Sequence, residues 1–183
     1  MVTINQGWIL PARRCLSPNF NQRPNGCTID LLVIHNISLP PEQFGGDHIE
    51  RFFCNSLDYT VHPYFKTLTA LTVSSHCLIN REGELVQFVN LNDRAWHAGR
   101  SCFNGKSECN DFSIGIELEG ADHIPYTQPQ YRQLITTTRA IQQAYPNITK
   151  DRITGHSIIA PERKTDPGPA FDWQVYLSGL DVN

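Results

Sequence analysis

Hydrophobic residues fall along this chain in runs whose period changes, and the changes mark out elements. Residues 30–35, Asp30-Leu31-Leu32-Val33-Ile34-His35, form a short apolar run bounded by polar positions. Such a run predicts a buried strand, with His35 at its C-terminal end. From Asp47 to about Asn55, the residues Ile49, Phe52 and Phe53 recur at helical spacing, and Asp47 is placed to cap the helix they predict. Residues 75–79 and 84–89 predict the two strands of a hairpin, closed by the turn Asn80-Arg81-Glu82-Gly83. The clearest strand covers 112–118: Phe112, Ile114, Ile116 and Leu118 share one face at period two, and Ser113, Gly115 and Glu117 share the other. That second face is small and polar, so another group can approach it closely. The longest helix is predicted over 127–145, with Thr127 as N-cap and Pro129 in the first turn. Its buried stripe is Tyr131, Leu134, Ile135, Thr138, Ile141 and Tyr145, and Pro146 and Asn147 end it. Residues 152–156 predict a short last strand. Residues 171–180 predict a terminal helix with Trp173, Tyr176, Leu177 and Leu180 as its apolar positions.

Strands that alternate with helices imply an α/β (α+β) fold: a single domain over residues 1–183, with a central mixed β-sheet flanked by helices. The chain of 183 residues is long enough for one substantial core. A net charge of −3 gives no reason to expect nucleic acid or an anionic membrane as partner. No apolar run approaches the length of a membrane span. The first residues lack the basic and apolar regions of a signal peptide, which makes the cytoplasm the expected compartment. Cys15, Cys27, Cys54, Cys77, Cys102 and Cys109 contain no CxxC pair. They are expected to be reduced thiols, mostly buried packing residues.

The richest chemistry lies in residues 155–169, where His156, Lys164 and Asp166 share one loop closed by Pro167, Gly168 and Pro169. Imidazole and carboxylate are ordinary zinc ligands, and a nearby lysine stabilises developing negative charge. A hydrolytic zinc site needs three protein ligands and an open position for water. None of the seven histidines forms an HExxH helix, so ligands must come from separate elements. His35, His156 and Asp166 make one candidate trio. Spacing alone leaves other readings open. His35 also suits a sheet edge, Asp166 the start of a turn, Lys164 a solvated surface, and Glu117 the open side of a half-buried strand. Trp96 and His97 also suit ordinary packing.

Six segments together resemble one family: "LLVIHNISLPPEQFGG" (31–46), "HPYF" (62–65), "VSSHCLINREGELVQFV" (73–89), "RAWHAG" (94–99), "CNDFSIGIELEG" (109–120) and "TGHSIIAPERKTDPGP" (154–169). They are similar to the AmpD-type N-acetylmuramoyl-L-alanine amidases, which share a fold with the peptidoglycan-recognition proteins. The similarity runs from about Gly7 to Trp173. It implies one Zn2+ held by His35, His156 and Asp166, with Glu117 as the catalytic carboxylate and Lys164 beside the metal. It implies hydrolysis of the amide between the lactyl group of 1,6-anhydro-N-acetylmuramic acid and L-alanine. The substrate would be a cytosolic muropeptide in peptidoglycan recycling, a process linked to regulation of β-lactamase induction. For the sugar, Trp96 is the candidate platform, and Asn36 a candidate hydrogen-bonding partner. Arg81, Arg94 and Arg100 are candidates for the peptide carboxylates. A monomer is expected. Two other readings are a recognition module without activity, which typically lacks a metal ligand, and an exported amidase acting on intact wall.

Overall fold

The computed structural model describes residues 2–181. Among them, six strands form one sheet: β1 (Arg13–Arg14), β2 (Leu31–Ile37), β3 (Cys77–Ile79), β4 (Leu85–Gln87), β5 (Ser113–Glu119) and β6 (Ile153–Gly155). Their spatial order is β6-β2-β5-β3-β4-β1. The three pairings among β6, β2, β5 and β3 are parallel, β3 and β4 form the antiparallel hairpin, and β1 lies parallel to β4. The expected mixed sheet is present.

Four α-helices accompany it among the described residues: α1 (His48–Phe53), α2 (Gln128–Ala144), α3 (His156–Ile159) and α4 (Trp173–Gly179). Leu32, Ile34, Ile114, Ile116 and Leu118 form one core with Tyr131, Leu134 and Ile141 of α2 and Tyr176 of α4. On the opposite face, Leu31 and Val33 pack with Ala98, Cys109, Phe112 and Ile159. A third cluster gathers Phe52 and Phe53 of α1 with Leu78, Val86 and Phe88 of the hairpin.

The long helix begins as its sequence predicts. Thr127 accepts from the Gln130 backbone N–H, and Gln130 returns a bond to the Thr127 backbone, a reciprocal capping box. Other expectations need correction. Phe112 does not share the face of Ile114, because its ψ of 6° lies outside the extended range and turns its ring to the other core. Asp47 makes no cap bond. Its carboxylate instead pairs with Arg51 Nε at 2.7 Å on the exposed side. β5 is not half-buried, since all seven residues are covered. Of the thiols, only Cys77 and Cys109 are fully buried, while Cys102 is exposed and the other three are half-buried.

Candidate metal centre and active-site cleft

Parallel register builds the site. Glu117 lies opposite His35 across the β5–β2 pairing, and Gly155 lies opposite Ile34 across β6–β2. The residue after Gly155 therefore arrives beside His35. His35 is not the last residue of its strand, which runs on to Ile37, and His156 is not in a strand. It is the first residue of the helical turn α3, where the chain leaves the sheet. The neighbouring carboxyl ends of three parallel strands thus deliver His156, His35 and Glu117 to one edge, the place where open α/β sheets bind ligands.

Asp166 comes from the loop after α3. Its own carbonyl accepts from Ser157 N–H at 2.9 Å. The next carbonyl, of Pro167, accepts from Tyr126 Oη at 2.7 Å and from Asn36 Nδ2 at 3.1 Å. Asn36 Nδ2 also donates to Asp122 at 2.9 Å, so its amide hydrogens brace the Asp166 loop.

His35 Nδ1, His156 Nδ1 and Asp166 Oδ2 stand 3.0, 3.1 and 3.0 Å apart in a triangle. His156 Nε2 faces the Ala98 carbonyl at 3.1 Å. A carbonyl only accepts, so the proton sits on Nε2 and Nδ1 presents a bare lone pair. That lone pair and a carboxylate oxygen meet at hydrogen-bond distance with no proton of their own to share, and a cation resolves the repulsion. An ideal zinc tetrahedron with bonds of about 2.0–2.1 Å has edges of about 3.3–3.4 Å, so the triangle needs to open only slightly. These three residues form a group that could hold a metal ion, and their donor set fits zinc.

The electrostatics agree. Burial drives the His35 imidazole down to about 4, although Asp166 pulls the other way. Burial raises the Asp166 carboxyl, but the adjacent His156 and His35 imidazoles outweigh it and hold the group below the usual carboxylate range. Both are therefore in their ligand forms at neutral pH. Glu117 moves oppositely: burial, then the Asp166 charge, push its pKa well up, and Lys164 only partly offsets them. Its Oε2 is buried without a hydrogen-bond partner, an unusual state for a carboxylate oxygen.

The site opens into a cleft of about 880 Å³, lined by His35, Glu117, Lys164, Asp166, Trp96 and Asn36 among others. All seven residues singled out from the sequence as ligands, catalytic groups or substrate contacts border this one cleft or the triangle inside it, Trp96 with its Nε1 held by Asn21 at 2.7 Å. The three arginines separate. Arg94 is tied to Asp111, Arg81 to the Pro125 carbonyl, and Arg100 borders a different, smaller hollow. Arg163, not singled out from the sequence, lines the main cleft instead. Sequence reasoning also missed Arg23, whose guanidinium binds the carbonyls of Leu91, Asn110, Asp111 and Ser113. Burial lowers its pKa to about 10. It stands in a run, Pro24 following, that carries no periodic signal.

This architecture, a mixed sheet with a His-His-carboxylate group and a buried glutamate at the carboxyl ends of its parallel strands, is that of a metallohydrolase class. The family described as N-acetylmuramoyl-L-alanine amidase matches residues 25–169, and the chain belongs to that family. A relative from Haemophilus influenzae, "1,6-anhydro-N-acetylmuramyl-L-alanine amidase AmpD", is 54% identical over 97% of this chain and 96% of its own. The Escherichia coli protein of the same name is 55% identical over 93% and 92%. A crystal structure of a selenomethionine AmpD derivative superposes with a TM-score of 0.94 at 51% identity, covering 97% of this chain and 98% of that one. The Escherichia coli amidase AmiD, solved with anhydro-N-acetylmuramic acid-L-Ala-D-gamma-Glu-L-Lys, superposes at 0.61 with 28% identity, covering 99% of this chain and 66% of that one.

Proposed function

We propose that this protein is a zinc-dependent 1,6-anhydro-N-acetylmuramoyl-L-alanine amidase, cleaving the lactyl–L-alanine amide of anhydro-muropeptides. The observation that carries the reading is the Nδ1–Nδ1–Oδ2 triangle beside a glutamate with an unpartnered buried oxygen. When bound, zinc supplies Lewis acidity to water and to the scissile carbonyl. His35, His156 and Asp166 would hold it. Glu117 Oε2 takes the proton from the attacking water and then returns it to the leaving nitrogen of L-alanine. Its raised pKa suits a group that must bind the proton it removes. The Lys164 ammonium faces the oxyanion that develops on the lactyl carbonyl. Trp96 offers the sugar a flat apolar surface. Asn36 serves the substrate only through its carbonyl oxygen, since its amide hydrogens brace the loop.

Val2 and Ile4 near one end and Trp173, Leu177 and Leu180 near the other pack onto the same core, which supports one amidase domain across the chain. No helix among the described residues is long and apolar enough to cross a membrane. The likeness to the AmpD relatives carries the expectation of a cytoplasmic enzyme of cell-wall recycling. The complete ligand set argues against a module that only recognises peptidoglycan.

The test compares wild type with Glu117→Gln, both loaded with zinc. The variant should keep one zinc per chain and lose turnover by at least about 100-fold, the scale of a general acid–base group. Equal turnover would remove Glu117 from the reaction. Loss of the metal as well would make it a ligand instead.

A further inference from the structure

His97 stands outside the metal triangle, yet every polar atom of its ring is engaged. Its Nδ1 is 2.9 Å from His35 Nε2, and its Nε2 is 3.1 Å from Ser113 Oγ. Ser113 Oγ in turn lies 2.6 Å from the Cys109 carbonyl. A carbonyl cannot donate, so the serine proton points at Cys109 and the serine oxygen is left to accept. His97 Nε2 must then carry a hydrogen, and in a neutral ring Nδ1 is the acceptor. The proton between the two imidazoles therefore belongs to His35 Nε2. That leaves His35 Nδ1 bare and aimed at the triangle. Direction enters the chain at one end only, at a backbone carbonyl, and passes through two side chains to a ligand.

The ring is also fixed sterically. A Cβ on Gly115 would lie 2.6 Å from His97 Cγ and Nδ1, so only glycine at that position of β5 lets the ring come this close to the strand. On its other edges the ring meets His35 at 5.0 Å and His76 at 5.6 Å between centroids, both edge-on. Its backbone N–H is held by Asn110 Oδ1 at 3.0 Å. Each neighbour restricts a different motion of one imidazole.

We propose that His97 is a positioning residue for metal binding: through the relay Cys109 carbonyl–Ser113–His97 it fixes His35 as an Nδ1 ligand. His156 has a simpler version of the same device, its Nε2 held directly by the Ala98 carbonyl. Neighbours of this kind around a metal-binding histidine commonly contribute about 10–100-fold in affinity. The inference rests on the reading of His35, His156 and Asp166 as zinc ligands.

The experiment measures zinc affinity by competition with a chromophoric chelator in five proteins: wild type, His97→Leu, His97→Gln, Ser113→Ala and His35→Ala. Long-range 1H–15N spectra of the imidazoles are recorded on the same samples. His97→Leu should bind zinc about 10–100-fold more weakly. His97→Gln, whose amide oxygen can accept from His35 Nε2, should recover most of that loss. Ser113→Ala should fall between wild type and His97→Leu. In wild type, His35 should show a protonated Nε2 and a metal-shifted Nδ1. Wild-type affinity in His97→Leu with an unchanged His35 spectrum would overturn the relay. So would a His97→Gln affinity no better than that of His97→Leu. If His97→Leu does not fold, Ser113→Ala decides: unchanged affinity and an unchanged His97 tautomer would overturn it. The site reading is tested separately by His35→Ala, whose undiminished zinc binding would show that the metal lies elsewhere.

Discussion

At Glu117 two requirements oppose each other. Catalysis needs a carboxyl group of raised proton affinity, and burial supplies that at a cost to the fold. The group titrates near 4.5 when unfolded and well above that when folded. Proton uptake by the native state therefore leaves the fold unpenalised below pH 4.5, and the penalty grows as pH rises through the gap. Metal-free Glu117→Gln should accordingly be more stable than metal-free wild type at pH 8, with the difference vanishing near pH 4. Urea midpoints at the two pH values check this; a destabilised variant at pH 8 would mean that the ionised carboxylate is satisfied in the fold. The contrast with Asp166 is instructive. Glu117 is buried and Asp166 half-buried, but two imidazoles hold Asp166 down while nothing binds the free oxygen of Glu117. Sequence spacing offered each residue with a bland alternative, and the difference between them is set wholly by neighbours distant in the chain.

At the scale of elements, strong periodicity was readable and short pieces were not. β5, the hairpin and α2 appear where period two or helical spacing predicts them, with α2 bounded by its own cap. The hydrogen-bonded pairs at 3–5 with 8–10, 20–21 with 94–95, and 102–103 with 106–107 are too short to carry a period. Asp47 failed as a cap because an arginine one turn later competes for its carboxylate. Thr127 succeeded, and its hydroxyl also donates to the Arg81 carbonyl at 2.6 Å, joining helix to hairpin turn. Thr127→Ala should lower stability by about 1 kcal/mol, read as a shifted urea midpoint with zinc affinity unchanged. Tyr126 tests the other joint. Its hydroxyl on the Pro167 carbonyl braces the residue after a ligand. Tyr126→Phe removes a bond of about 1 kcal/mol, so zinc affinity should fall about five-fold with the fold intact. Unchanged affinity would leave the loop held by Asn36 and its own turns.

Across the whole molecule, four of the buried polar groups are imidazoles, those of His35, His76, His97 and His156. His35, His76 and His97 are all buried, and burial lowers each pKa, to about 4 for His35, to about 3 for His76 and well below the usual imidazole range for His97. Their folded values lie below the unfolded 6.5, so the unfolded chain binds more protons as pH falls from 6.5 toward 4. Each imidazole then removes up to about 1.4 kcal/mol per pH unit, partly opposed by Glu117 above pH 4.5. Metal-free protein should lose urea resistance over this window, and a flat profile would mean that the imidazoles are already charged in the fold. The sequence motifs brought the candidate ligands, Glu117, Lys164, Asn36 and Trp96 to one cleft but not the three candidate arginines. What they did not reveal was the bracing behind them: Arg23 on four carbonyls, Glu119 between Gly45 and Arg81, and the relay through His97. Such partners are chosen by tertiary packing and leave no local period. The central claim is that this cleft hydrolyses one particular amide, and product analysis in 18O-enriched water tests it most directly. Zinc-loaded protein and an anhydro-muramoyl peptide should yield free peptide and a sugar whose lactyl carboxylate carries the label, and a chelator should abolish both. Label in a peptide carboxylate, or an intact substrate with zinc bound, would contradict it.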